Sequence, residues 1–259
     1  MADPRPVALI SAAASGIGLA VARSLVAEGY SVFTMDSNET SVHAFRAEFG
    51  ERAAVVCNVA DSQQIDTAFD SFKQAFDRLD VLVNNAGILS AGAFHEIPLT
   101  RHQQIIDINV NGVLAGCHAA YPYLVKTPQA TVINMASASA IYGQPGLASY
   151  STSKFAVRGL TEALDSEWAV QGIRVKSIWP LFVQTNMVTG LGNMPSVKSL
   201  GIKLNADDVA RAVWYAANDR GGTSPVHYPV GLQTKVLSLA VKLSPAWMSR
   251  WINQRMTSD

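Results

Sequence analysis

Six short, almost wholly apolar runs recur along this 259-residue chain, at residues 7–10, 31–35, 54–57, 81–83, 131–134 and 174–179. Runs of that length without polar alternation read as strands buried on both faces, which only a parallel sheet covered by helices provides. Helical spacing fills the gaps at residues 17–28, 62–76, 101–124 and 151–170, and Gly29 and Gly172 stand where helix ends favour glycine. The pattern predicts an α/β fold: a Rossmann-like doubly wound parallel sheet with helices on both faces. With no internal repeat, low-complexity tract or linker, residues 1–259 read as a single domain.

Twenty basic and twenty acidic residues cancel, and no stretch gathers like charges, which argues against a nucleic-acid partner. Charged residues are 15% of the chain, against roughly 25% in an average soluble domain, so part of the surface is expected to be covered by another subunit. Cys57 and Cys117 lie in apolar stretches and share no ligand spacing with His43, His95, His102, His118 or His227. They read as core thiols in a reducing compartment, with no metal site. No run of eighteen apolar residues exists, and residues 1–6 lack the layout of a signal peptide, so a cytoplasmic location is expected.

Chemistry enters at the first strand-to-helix turn. Ser11-Ala12-Ala13-Ala14-Ser15-Gly16-Ile17-Gly18 opens a helix where free N–H groups can receive a dinucleotide pyrophosphate, and glycine lets the backbone approach it. A tight turn alone would use the same residues. Asp36, twenty residues after Gly16 at the end of the second strand, adds a carboxylate that can accept from adenosine ribose hydroxyls and would repel a 2′-phosphate, favouring NAD over NADP. Asn58-Val59 and Asn84-Asn85-Ala86-Gly87 end the third and fourth strands, at the sheet edge where such folds bind ligands. Each could be only a turn; with Asp36 they read as walls of an adenine and ribose slot.

Tyr150-Ser151-Thr152-Ser153-Lys154 starts the long fourth helical segment, with phenol and ammonium on one face at i, i+4. A nearby ammonium is expected to lower the phenol's pKa, so that Tyr150 can exchange a proton with an alcohol or ketone. Ser137 follows the fifth strand, and the loop 138–149 can fold back to bring its hydroxyl beside the same oxygen, where it would polarise a carbonyl. Taken singly, these are ordinary helix, cap and turn residues; it is their conjunction that points to catalysis.

In this order the motifs resemble the classical short-chain dehydrogenase/reductases, over residues 6–219. The resemblance implies an oxidoreductase with Ser137, Tyr150 and Lys154 as its catalytic serine, tyrosine and lysine. Asn109 would complete a tetrad by holding a water for proton relay, and Lys154 would also bind the nicotinamide ribose. By the same likeness Pro180, Val183 and Thr185, after the sixth strand, would hold the nicotinamide amide. Ala12 departs from the family's usual glycine, Asn58 from aspartate and Leu181 from a glycine after proline. A positive φ at Ala12 would cost roughly 1–2 kcal/mol. Asn58 keeps an acceptor for adenine, and Leu181 reads as a feature of the substrate pocket. A homotetramer or homodimer, built on the helices from Arg101 and Ser151, is also implied.

Leu89, Phe94, Ile141, Tyr142, Leu181, Phe182 and Met187 fall in the segments expected to ring the substrate, together with Val188, Leu191 and Met194. An apolar secondary alcohol or ketone, steroid- or lipid-like, suits such a wall, because a carboxylate or phosphate would need an arginine these segments lack. Residues 181–204 are thus the expected substrate loop. Residues 225–259 mix Leu232, Val236, Trp247 and Trp251 with Lys235, Lys242, Arg250 and Arg255, and read first as a C-terminal lid or oligomer contact. Membrane-surface contact is the second reading. A regulator that senses the nucleotide without turnover is the alternative to an enzyme, and Ala12 and Leu181 are its only support.

Overall fold

The computed structural model describes residues 5–185, 187, 197 and 201–243. Seven parallel strands form one sheet in the order β3-β2-β1-β4-β5-β6-β7. They are β1 (Val7–Ser11), β2 (Ser31–Asp36), β3 (Ala54–Val56), β4 (Val81–Asn84), β5 (Thr131–Met135), β6 (Arg174–Trp179) and β7 (His227–Pro229). The side-chain period of two sends Val7 and Leu9 of β1 to one face and Ala8 and Ile10 to the other, and each face has its own core. Helices α1 (Gly16–Ala27), α2 (Glu39–Phe49) and α7 (Ala206–Asn218) cover one face with Val21, Leu25, Phe45, Val209 and Val213. The other face carries α3 (Ser62–Ala75), α5 (Gly112–Leu124) and α6 (Ala148–Trp168), through Phe69, Phe72, Cys117, Leu124 and Val157.

The strand order reverses between β1 and β4, both of which start from the middle of the sheet. A doubly wound sheet opens its ligand crevice at such a switch point, beyond the carboxyl ends of the strands. Three differences from the sequence reading have plain causes. β7 was not expected: it is three residues long, ends in Pro229, and takes its strand form from pairing with β6 at the sheet edge. Helix α2 buries only Val42 and Phe45, so its apolar stripe was too thin to read. The expected 101–124 helix is divided into α4 (Leu99–Ile106), a π-helical turn Asp107–Asn111 and α5.

Cys57 and Cys117 are free and buried, and burial pushes their thiols up to about 11 and about 12. Among the described residues no helix is long and apolar enough to cross a membrane. Val188, Leu191, Met194, Trp247 and Trp251 lie outside the described residues, as do most of the expected substrate loop and the end of the C-terminal segment.

Candidate active site

At the end of β1 the chain turns sharply. Ala12 adopts φ +54° while its N–H donates to the Met35 carbonyl at 2.7 Å. The next two N–H groups are also taken: Ala13 donates to Thr34 Oγ1 at 3.1 Å and Ala14 to Asp36 Oδ2 at 3.2 Å. A non-glycine residue in the left-handed region is strained by about 1–2 kcal/mol, and the three bonds to β2 hold it there. Glycine would remove that strain at a chain-entropy cost of about 0.5–1 kcal/mol, so Ala12→Gly is expected to stabilise the fold by roughly 0.5–1 kcal/mol. A urea midpoint that moves down instead would contradict the strain.

Ser15 precedes α1 without a side-chain hydrogen bond to it, so the first-turn N–H groups of the helix stay open. Ser15, Gly16 and Ile17 there form one end of a cleft of about 440 Å³. Open helix donors and a positive dipole are the donor set a pyrophosphate requires, so the residues present fit a dinucleotide. The end of β4 is tied to this turn by Ser11, whose Oγ accepts from the N–H groups of Asn85 and Ala86, both at 3.0 Å. Asn85 returns the tie by donating its amide to the carbonyls of Ser11 and Ala12, both at 3.1 Å.

The cleft is also walled by β5, α6 and the segment after β6, whose Thr185 Cγ2 would stand 3.9 Å from a Cβ at Gly16. Tyr150 and Lys154 lie in the first turns of α6, and Gly87 lets Asn109 come close: a Cβ at Gly87 would sit 3.3 Å from Asn109 Oδ1, while Lys154 Nζ at 3.6 Å would be an ordinary contact. Lys154 is 4% exposed, donates to the Met135 carbonyl at 2.8 Å, and its ammonium stands 5.4 Å from the centre of the Tyr150 ring. Burial pulls that ammonium down to about 8. The sequence reading had Lys154 lowering the phenol. Here burial dominates and pushes Tyr150 up, while a hydrogen bond with Ser137 pulls the other way. Ser137 Oγ also accepts from Ser139 N at 3.1 Å and donates toward the Pro180 carbonyl at 3.4 Å.

Asn109 lies in the π-helical turn, fully buried. Its side chain closes a ring with the backbone of Ile88, accepting from N–H at 2.8 Å and donating to C=O at 2.9 Å. The same amide donates to Ser153 Oγ at 3.0 Å, and Ser153 donates to the Tyr150 carbonyl at 2.7 Å. Ser153 was missed in the sequence, although it stands one turn from Tyr150 on the same helix. A π-helical turn re-aims side chains without ending the helix, and here it carries Asn109 to the base of α6.

Of the residues expected to bind cofactor, Ser15, Gly16, Ile17, Asn85, Gly87, Tyr150, Lys154, Pro180, Val183 and Thr185 wall the cleft. Ser11, Gly18 and Ala86 do not: Ser11 and Ala86 join β1 to β4, and Gly18 packs α1 against the turn. Asp36 lies at the tip of β2 with its carboxylate accepting from Ala14 N and Asn38 N. Asn58 turns into its own loop, accepting from Ala60 N at 3.1 Å, and Val59 packs under Gly112.

Leu89, Leu181, Phe182 and Met187 do reach the cleft. Phe94, Ile141 and Tyr142 are not among the described residues that wall it. Phe94 is 60% exposed and stacks on His102, itself bridged between the Phe94 carbonyl and Ser149 Oγ. The 3₁₀ turn Ala138–Ala140 swings Ile141 and Tyr142 into the core instead. Gln144, Ser139 and Leu147 take their place on the wall. Spacing carries no signal for this, since the direction of that loop depends on the turn geometry.

A family model described as short chain dehydrogenase matches residues 6–195. The chain is 36% identical over 219 residues to the 3-alpha-(or 20-beta)-hydroxysteroid dehydrogenase of Mycobacterium tuberculosis, covering 84% of each. It is 33% identical over 220 residues to a 3-oxoacyl-(acyl-carrier-protein) reductase of Synechocystis, covering 82% of this chain and 89% of the relative. Among solved structures, the 3-ketoacyl-(acyl-carrier-protein) reductase from Brucella melitensis complexed with NADH superposes with a TM-score of 0.80 at 27% identity, over 87% of this chain and 96% of that one. The reversal of strand order beside an open helix N-terminus is thus shared ancestry rather than convergence, and the chain belongs to the short-chain dehydrogenase family, oxidoreductases that interconvert alcohols and ketones with a nicotinamide cofactor.

Proposed function

We propose that this enzyme interconverts an apolar secondary alcohol and its ketone with NAD as the cofactor. The observation that carries the reading is the cleft itself, with the open N-terminus of α1 at one end and Tyr150, Ser137 and Lys154 at the other. Pro180, Val183, Thr185 and Lys154 would hold a nicotinamide, which would supply the hydride acceptor or donor. Tyr150 exchanges the proton of the substrate oxygen, and Ser137, already hydrogen-bonded to that phenol, holds the same oxygen and the charge that develops on it. Lys154 keeps a positive charge beneath the phenol, and Asn109 and Ser153 fix the start of α6 to the segment after β4.

Leu89, Leu147, Leu181, Phe182 and Met187 make the substrate side apolar, and among the described residues the walls carry no arginine to meet a carboxylate or phosphate. Leu114 and Phe155, on α5 and α6, are 45% and 41% exposed, which supports assembly through those helices into a homotetramer or homodimer. Two buried free thiols suit the reducing cytoplasm.

A panel of hydrophobic secondary alcohols with NAD, followed by absorbance of the reduced cofactor, tests the reaction. Bound NAD with no reduction across the panel would point to a nucleotide-sensing regulator instead. Cofactor choice has its own test in Asp36. Replacing it by serine removes a charge that would face a 2′-phosphate, and also frees Ala14 N and Asn38 N. The ratio of NADP to NAD efficiency is expected to rise about tenfold or more in Asp36→Ser. An unchanged ratio would remove Asp36 as the selector.

A further inference from the structure

Helix α6 is joined to the sheet as much by hydrogen bonds as by interlocking apolar side chains. Its six buried residues are Ser151, Ser153, Lys154, Val157, Thr161 and Trp168, and four of them are polar. Ser151 Oγ accepts from Gln144 N at 3.1 Å, Ser153 Oγ accepts from Asn109, and Lys154 donates to the Met135 carbonyl. Those three bonds surround the start of the helix. Thr161 stands apart from them, seven residues beyond Lys154 on the same helical face and about 10 Å down the axis.

Thr161 is fully buried and belongs to a chain of hydrogen bonds whose direction is fixed at every step. Its hydroxyl donates to the Val157 carbonyl at 2.7 Å, so its oxygen can only accept from the next member, and Asn134 Nδ2 donates to it at 3.1 Å. The Asn134 amide is thereby turned with Oδ1 toward β4, where it accepts from Asn84 Nδ2 at 2.9 Å. Asn84 and Asn134 are register partners on β4 and β5. Asn84 Nδ2 also meets Cys117 Sγ of α5 at 3.3 Å, and a Cβ at Gly116 would sit 2.5 Å from Asn84 Oδ1, so α5 lies directly on the far end of the chain. Apolar burial is non-directional and tolerates a small slide, whereas a hydrogen bond holds its partners to roughly 2.7–3.2 Å and a narrow range of angles. Lys154 on the Met135 carbonyl and Thr161 on the neighbouring Asn134 side chain pin α6 to β5 at two points, which fixes its height and its rotation over the strand. Tyr150 rides on the same helix.

We propose that Thr161, acting through Asn134, is a positioning residue for the reaction: it sets the height of α6 and with it the place of Tyr150 and Lys154 in the cleft. This rests on the acid–base role given to that pair above. A misplacement of about 1 Å made far from the chemistry can cost about 10²-fold in rate. The double variant Asn134→Leu, Thr161→Val removes both partners together, and Asn84 keeps Cys117 Sγ, so its melting temperature should stay close to that of the wild type. Asn134→Leu alone breaks the same link, leaves Thr161 bonded to the Val157 carbonyl, and carries the same expectation. With the alcohol that the wild type oxidises fastest, either variant is expected to lose about tenfold or more in kcat, while KM and NADH affinity stay within about threefold. Thr161→Ser keeps the hydroxyl, and Val157→Ala weakens packing on the same face without touching the chain. Both should keep kcat within about twofold. Deuterium uptake by the amides in the first turns of α6 should rise in the double variant and not in Thr161→Ser, a readout that needs no turnover. Wild-type kcat and uptake in the double variant overturn the proposal, as does an equal loss of kcat in Val157→Ala, which would mark general loosening of the helix. A wild type that reduces no NAD would instead count against the reading of the cleft, and the exchange rates alone would then decide whether Thr161 holds α6 in place.

Discussion

Tyr150→Phe is expected to lower turnover in both directions by about 10²–10⁴-fold, the usual worth of a positioned acid–base group, while NADH binding measured by fluorescence titration stays within about threefold. The separation follows from the geometry. The phenol oxygen meets Ser137 and the space above it, whereas the ring packs in α6 and the open donors of α1 stand at the far end of the cleft. Removing one oxygen therefore takes away the proton exchange and leaves the cofactor's seat. The pH profile of the wild type gives an independent check. Burial raises the phenol, so at neutral pH Tyr150 is in its protonated form, ready to donate during ketone reduction. Alcohol oxidation needs the phenolate, so its kcat/KM should climb as pH rises through the neutral range. Reduction uses the phenol, which is already protonated there, so its kcat/KM should stay flat through the neutral range and fall only as pH passes the raised pKa. The Phe variant's residual rate should lose the oxidation slope; a variant that kept most of its rate, or kept that slope, would remove Tyr150 from the chemistry.

The parts of this site that could be read from sequence are those written within one element. Tyr150 and Lys154 share a helix, so spacing alone sets their common face, and Ser15, Gly16 and Ile17 share the turn that opens α1. The buried strands were legible because a strand covered on both faces has no polar alternation to disguise it. What spacing leaves undetermined is where separate segments point. Ile141 and Tyr142 were assigned to the substrate wall for being apolar in the right loop, but the 3₁₀ turn before them decides their direction. Ser11 reads as part of the cofactor turn, and its Oγ also clamps β1 to β4, a tie visible only once Asn85 and Ala86 are beside it. β7 owes its form to β6, and its three residues carry no signal of their own. The C-terminal leucines read as a lid or contact because apolar residues are expected to face something. Leu232, Val236 and Leu239 are exposed among the described residues.

Gly18→Ala should be the most damaging one-methyl change in the cofactor half of the molecule. A Cβ there would stand 2.3 Å from the Ala12 carbonyl oxygen, 2.7 Å from Ala13 Cα and 2.8 Å from Asn85 Nδ2. Two of those atoms are backbone of a turn already pinned to β2 by three hydrogen bonds, so the turn cannot yield and α1 must lift away from it. The methyl also enters the space of the bond that Asn85 donates to the Ala12 carbonyl, loosening the tie between β1 and β4 at the switch point. Overpacking of this kind costs about 1–3 kcal/mol. Because the displaced helix end carries the open donors, dinucleotide affinity should fall by about tenfold or more as well. Gly159→Ala supplies the contrast: nothing lies within 4 Å of a Cβ at that position of α6. There the better helix propensity of alanine should stabilise by up to about 1 kcal/mol, with cofactor affinity unchanged. If Gly18→Ala instead matched the wild type in both urea midpoint and NADH affinity, α1 would not be held against the turn as closely as its backbone indicates. The seat assigned to the pyrophosphate would then have to be sought elsewhere along the cleft.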